Sequence, residues 1–209
     1  MGSWSWTIRG FRARSGTELP RGLKSAPHVF VVAAIVIALT ACGSKPLPVC
    51  GTVPDFALTA QNGSEFRGSS LDGSVWVADF FFTHCTGPCP RMSSRFRHIE
   101  KTFAGRNDLK LVSLTVDPAR DTVPVIADYA RMFNAELGRW FFLTGAMDRL
   151  NHLCRDVFLL GNVDGNLDHS TRFVLVDRRR RIRGFYRSDD SESMKQLMRD
   201  IQSLLKESV

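Results

Sequence analysis

The chain has 209 residues and a formal net charge of +7. Its 44% hydrophobic and 23% charged content is that of a globular protein with a full core, which excludes a disordered or low-complexity chain. Five Lys/Arg against one acidic residue lie in the first 42 positions, leaving +3 for the rest, too little for a nucleic-acid-binding surface.

The N-terminal stretch reads as a processed leader. Arg9, Arg12, Arg14, Arg21 and Lys24 form a basic region, and Val29 to Ala41 is an apolar run of 13 residues, short for a transmembrane helix. It ends in Leu39-Thr40-Ala41-Cys42-Gly43, which looks like a bacterial lipobox with Cys42 as the lipidated first residue. An uncleaved anchor is the alternative. Both place the body outside the cytoplasm, on the outer face of a bacterial membrane, where disulfides are permitted. The expected organisation is a signal peptide over 1–41, a tether over 42–53 rich in proline, and one domain over 54–209.

Phe56 to Thr59 reads as a short strand, Gln61-Asn62-Gly63-Ser64 as a turn, and Glu65 to Arg67 as the strand that pairs back. Val75 to Phe82 is nearly all apolar, as in a central strand covered on both faces. After it comes Thr83-His84-Cys85-Thr86-Gly87-Pro88-Cys89-Pro90. Met92, Phe96, Ile99 and Phe103 then recur at helical spacing. Two cysteines therefore sit where a buried strand hands over to a helix, with Pro88 and Pro90 in the first turn. The helix dipole there favours thiolate, the form that redox chemistry and soft-metal binding both use. A static structural disulfide is the plainer alternative, but a domain of this size needs no staple.

Leu109 to Val116 is the next strand, and a parallel right-handed crossover is the default for strand, helix, strand. Asp117 to Thr122 is a loop ending in a helix N-cap, followed by a helix to about Phe133. Asp117 and Asp121 read as loop-forming and capping residues. Trp140 to Leu143 is a strand, and Met147 to Phe158 a helix. A polar, Gly-rich loop spans Gly161 to Asp168. Arg172 to Asp177 and Arg181 to Tyr186 form a hairpin across Arg178-Arg179-Arg180-Arg181, read as a solvated turn. A helix from Ser191 to about Lys206 buries Met194, Met198, Ile201 and Leu205. This order predicts an α/β fold, a three-layer α/β/α sandwich with a mixed central sheet. No Walker A loop, dinucleotide fingerprint or Gly-x-Ser-x-Gly elbow is present.

The order of elements, with cysteines at the end of a central strand, resembles the thioredoxin fold. Five stretches carry a closer resemblance. They are Pro54-Asp55-Phe56 with Leu58-Thr59, Phe82-Thr83-His84-Cys85-x-x-x-Cys89-Pro90, Val116-Asp117-Pro118-x-Arg120-Asp121-Thr122, Leu143-Thr144-Gly145, and Asp168-His169-Ser170. Together they are similar to the Sco/SenC family of copper-binding, membrane-tethered assembly factors for cytochrome c oxidase. The resemblance implies copper ligation by Cys85, Cys89 and His169, a lipid or membrane anchor, and the oxidase's copper-bearing subunit as partner. Two thiolates and an imidazole suit Cu(I) and can hold Cu(II), and three ligands leave a position open for transfer. One departure is Thr86-Gly87-Pro88, where family members commonly have proline directly after the first cysteine. A thiol–disulfide oxidoreductase that reduces partner cysteines through Cys85 and Cys89 is the alternative, and His169 separates the two. His84 reads as a neighbour of the thiols rather than a ligand, His98 as solvated, His152 and Cys154 as core or surface filling, and Met92, Met132, Met194 and Met198 as core.

Overall fold

The structure, a computed structural model, describes residues 46–161 and 171–207. The chain runs β1 (Gly51–Thr52), β2 (Ala57–Ala60), β3 (Glu65–Arg67), β4 (Val75–Phe81), α1 (Pro88–Thr102), β5 (Leu109–Thr115), α2 (Val123–Met132), β6 (Trp140–Thr144), α3 (Met147–Asn151), β7 (Arg172–Val176), β8 (Arg181–Arg187) and α4 (Ser191–Lys206). All eight strands form one sheet in the order β1-β8-β7-β4-β5-β6-β2-β3. The β4–β5 and β5–β6 pairings are parallel, and the others are antiparallel. The expected mixed sheet is therefore present.

β4 is the apolar run of the sequence, and all seven of its residues are buried. Alternation splits it between two cores. Val75, Val77 and Phe81 pack with Phe96 and Ile99 of α1, Ile126 and Tyr129 of α2, and Leu197 and Ile201 of α4. Trp76, Ala78 and Phe80 pack on the other face with Leu150, Leu153 and Phe158. The two crossovers step in one direction, β4 to β5 to β6, so crossovers of one hand put α1 and α2 on the same face. The sandwich thus has three helices on one side of the sheet and α3 on the other.

Four local readings need amendment. The stretch read as a tether is tied to the sheet from Leu47 onward. Gly51 and Thr52 pair with Ile182 and Arg181, and Arg183 donates to the carbonyls of Pro48 at 3.1 Å and Leu47 at 2.8 Å. Two residues of strand leave no periodicity to read. The helix at Met147 widens after one turn into a π turn, His152–Val157, where the Phe158 N–H reaches back to the Leu153 carbonyl. Met132, at the last residue of α2, is 72% exposed and not core. In α4, Leu197 and Leu204 are buried alongside Ile201, while Met198 is only partly covered.

The arginine turn is also more than a solvated loop. Arg178 donates to the Leu204 carbonyl at the end of α4 at 2.5 Å and pairs with Asp108 at 2.7 Å. It thereby satisfies a helix-terminal acceptor that has no partner within the helix. Arg180 pairs with Asp72, and the buried Asp177 accepts from the backbones of Arg179 and Arg181 and from the side chains of Arg181 and Arg183. Arg183 is itself buried, so removing Asp177 takes away its nearest carboxylate and leaves only Glu207, at 3.5 Å. Asp177→Ala is expected to lower stability by about 3–5 kcal/mol in urea denaturation, as for other broken buried pairs. Arg179→Ala, at the exposed position, should stay within about 0.5 kcal/mol of the parent.

Candidate functional site

β4 delivers its last residue, Phe81, to a short loop that ends at the first turn of α1. The parallel pairing extends one residue beyond the strand, since the Val116 N–H donates to the Phe81 carbonyl at 2.8 Å. The Cys85 N–H then turns back to the Phe82 carbonyl at 3.3 Å. Pro88 opens α1, where its missing N–H costs no helical bond, and Cys89 follows it.

The two cysteines are brought together at this corner. Both are thiols. The Cys89 N–H donates to the Cys85 sulfur at 3.4 Å, so the helix N-terminus is directed at Cys85. Both residues are buried, Cys89 at 0% exposed and Cys85, the less covered, at 9%. The sequence argument gave thiolate character to a cysteine in the first turn of the helix. For Cys89 desolvation overrides the dipole: burial pushes its thiol well above the ordinary range, and the adjacent Cys85 thiol adds to the shift.

Asp79 is the first residue that the sequence reading passed over. It shares the face of β4 that carries Val77 and Phe81, the thiol side of the sheet. It is fully buried, and no donor meets either carboxylate oxygen at hydrogen-bonding distance. Burial raises it to about 7, only partly opposed by Ser113, its neighbour across the β4–β5 pairing. Tyr129 feels the charges of Cys89, Asp79 and Cys85, so all four groups share one neighbourhood. The signal available in sequence was a lone acid inside an otherwise apolar run.

Asp121 is the second. It is not a cap. Its buried carboxylate accepts from the Thr83 N–H, the Thr83 hydroxyl and the Thr115 hydroxyl. Thr122, the N-cap of α2, makes no side-chain capping bond. His84 is exposed, with Nδ1 3.1 Å from the Thr83 hydroxyl. His98 is exposed, as read. Cys154 is buried in the core on the far face of the sheet, and Cys50 is exposed beside β1, so the two thiols are not paired. His152 is exposed and bonded to Asp156. Among the described residues no cluster of three or more metal-ligating side chains occurs. His169, the expected third ligand, and Cys42 lie outside the described residues.

A thiol pair at a strand-to-helix corner of a mixed sheet can be compared with known proteins. The model of the SCO1/SenC family matches residues 48–206. The chain belongs to the SCO1/SenC family. It is 33% identical over 114 residues to the SCO1 protein homolog of Bacillus subtilis, covering 53% of this chain and 59% of that protein. The match thus spans under two thirds of this relative's own length. Among solved structures, a SCO1/SenC family lipoprotein from Bacillus anthracis superposes with a TM-score of 0.69 at 28% identity, covering 78% of this chain and 98% of the other. BsSco, described as a Sco-family cytochrome c oxidase assembly protein with a disulfide switch, gives 0.68 at 23% identity, covering 78% and 100%. Yeast Sco1 with copper bound gives 0.59 at 23%, covering 73% and 90%. The SCO1/SenC fold is thus the one that the sequence order anticipated, and copper is the metal its relatives hold.

The buried Asp79 sets a pH dependence. The folded state holds this proton up to about pH 7, while the unfolded chain releases it near 3.8. Between those values the folded state binds more protons, so stability falls as pH rises and levels off above about 7. The upper limit is on the order of 4 kcal/mol. Asp79→Asn is expected to flatten this slope and to raise the urea midpoint at pH 8, read from denaturation curves between pH 4 and 8.

Proposed function

We propose that this protein is a membrane-tethered copper carrier that binds copper through Cys85, Cys89 and His169 and serves assembly of the copper centre of cytochrome c oxidase. The observation that carries the reading is the pair of sulfurs brought together at the α1 N-terminus, in a chain whose family includes copper-bound members. Two sulfur donors fit a soft ion, and an imidazole adds the nitrogen that Cu(II) favours. The unequal burial of the two residues suits release, with Cys85 the less covered of the pair. The tether follows from the lipobox, with Cys42 as the lipidated residue outside the cytoplasm, in keeping with the lipoprotein relative.

A second reading, thiol–disulfide exchange, is favoured by the same pair. Cys85 attacks a partner disulfide, forming a mixed disulfide and releasing one partner thiol. Cys89 then displaces the second, leaving a Cys85–Cys89 disulfide and two reduced partner thiols. The Cys89 proton must leave in that step, which its burial opposes. The two readings join in one sequence, because oxidised partner cysteines cannot accept copper.

His169→Ala is expected to weaken Cu(II) binding strongly and Cu(I) binding modestly, since two thiolates alone satisfy Cu(I). Cys85→Ser or Cys89→Ser should abolish both. The readout is the thiolate-to-Cu(II) charge-transfer band. A band unchanged in position and strength in His169→Ala removes the histidine from the ligand set and puts the exchange reading first. For the anchor, mass spectrometry of membrane-extracted protein should find an acylated N-terminal Cys42, and an N-terminus upstream of Val29 would sink it.

A further inference from the structure

Asp121 has no obvious use in its own loop. A buried carboxylate is costly to keep, and it persists only where donors surround it. Here the donors are the Thr83 N–H at 3.2 and 3.3 Å from the two oxygens, the Thr83 hydroxyl at 2.5 Å and the Thr115 hydroxyl at 2.5 Å. All of these donors are uncharged, and two of the three belong to one residue, 38 positions away in the thiol loop. The same Thr115 hydroxyl accepts from the Asp117 N–H at 2.9 Å and makes no bond to the thiol loop.

We propose that Asp121 and Thr83 form a latch that positions Cys85. Thr83 is held at both its backbone and its side chain. From there the chain reaches Cys85 through one residue, His84, and the Cys85 N–H closes a turn onto the Phe82 carbonyl at 3.3 Å. The sulfur is thus held from two sides. The latched turn holds its backbone, and the Cys89 N–H meets it from the helix. In this arrangement Cys85 stands over the helix N-terminus as a thiol. Both sulfurs are unbonded to each other here, so a disulfide requires the Cys85 sulfur to move to about 2.05 Å from the Cys89 sulfur, against the hold of the latched turn. The latch therefore favours the dithiol, the form that takes a metal or reduces a partner, over the disulfide. Thr83 and Asp121 are positioning residues, acting through the backbone of the loop.

This inference rests on Cys85 and Cys89 being the working thiol pair. The test is equilibration of the full chain, extracted in detergent, in glutathione redox buffers, with the Cys85–Cys89 disulfide quantified by alkylation. Conversion of dithiol and oxidised glutathione to disulfide and two reduced glutathiones balances the exchange. Thr83→Val keeps the shape and removes the hydroxyl. It is expected to shift the equilibrium about tenfold toward disulfide, a potential about 30 mV more negative. Thr83→Ser restores the hydroxyl and should stay within twofold of the parent. Thr115→Val removes a donor from the same carboxylate but no bond to the thiol loop. It should lower the thermal midpoint and leave the equilibrium within twofold. If Thr83→Val fails to fold, Asp121→Asn carries the same expected shift.

The latch is overturned if Thr83→Val stays within twofold of the parent, if Thr83→Ser shifts as far as Thr83→Val, or if Thr115→Val shifts equally. A second readout does not need the disulfide. In a Cys89→Ser background, Thr83→Val should speed iodoacetamide alkylation of Cys85 about tenfold, and an unchanged rate overturns the latch. Failure of the parent to form any Cys85–Cys89 disulfide defeats the thiol-pair reading instead, and the alkylation rate still judges the latch.

Discussion

Complete burial of β4 is the constraint on which the rest depends. A strand covered on both faces must pair on both edges, and β4 does so with β5 on one side and β7 on the other. Its end is then fixed in space to within the play of a packed core. Any residue that follows directly inherits that fixity. The cysteine loop is such a segment, caught between the end of β4 and the start of α1. The corner therefore takes its position from a strand buried along its whole length.

Within that corner two electrostatic influences oppose each other. The α1 N-terminus offers an amide to the Cys85 sulfur. One turn into the helix, desolvation holds the Cys89 proton in place. Both cysteines are buried, Cys85 less completely, and they differ in surroundings: the Cys85 sulfur accepts from an amide, and the Cys89 thiol is held up by desolvation. Asp79 on the floor of the site adds a carboxylate without a hydrogen-bond donor, which ordinary core packing would replace by an apolar side chain.

Much of this was legible in the sequence, for physical reasons that differ by element. β4 and α1 carry long apolar patterns that packing followed, whereas α4 was legible as a helix but buries Leu197 and Leu204 in place of Met198. The β7–β8 hairpin was legible from its two strand-like stretches, but not the use of its arginines, because Asp108, Asp72 and the end of α4 are remote in sequence. β1 is too short to show alternation. The π turn after Asn151 has the same apolar spacing as a helix and is set by packing. Met132 fits an apolar stripe, yet lies where α2 has already left the core. Asp121 looked like a cap because caps and hubs use the same residue types, and only the fold brings Thr83 to it.

The tie between the start of the domain and β8 has a consequence in time. Arg183 and Pro48 are 135 residues apart, and among the described residues β1 pairs with β8 alone. The β4-α1-β5-α2-β6 block is made of near neighbours and can assemble early, whereas this edge closes across almost the whole domain. A chain emerging from its N-terminus first carries β1 unpaired until β8 has followed it out. The thiol corner begins in that block, but β4 pairs with β7 on its other edge and α4 covers the same face, so the corner is complete only once the last third of the chain has joined it.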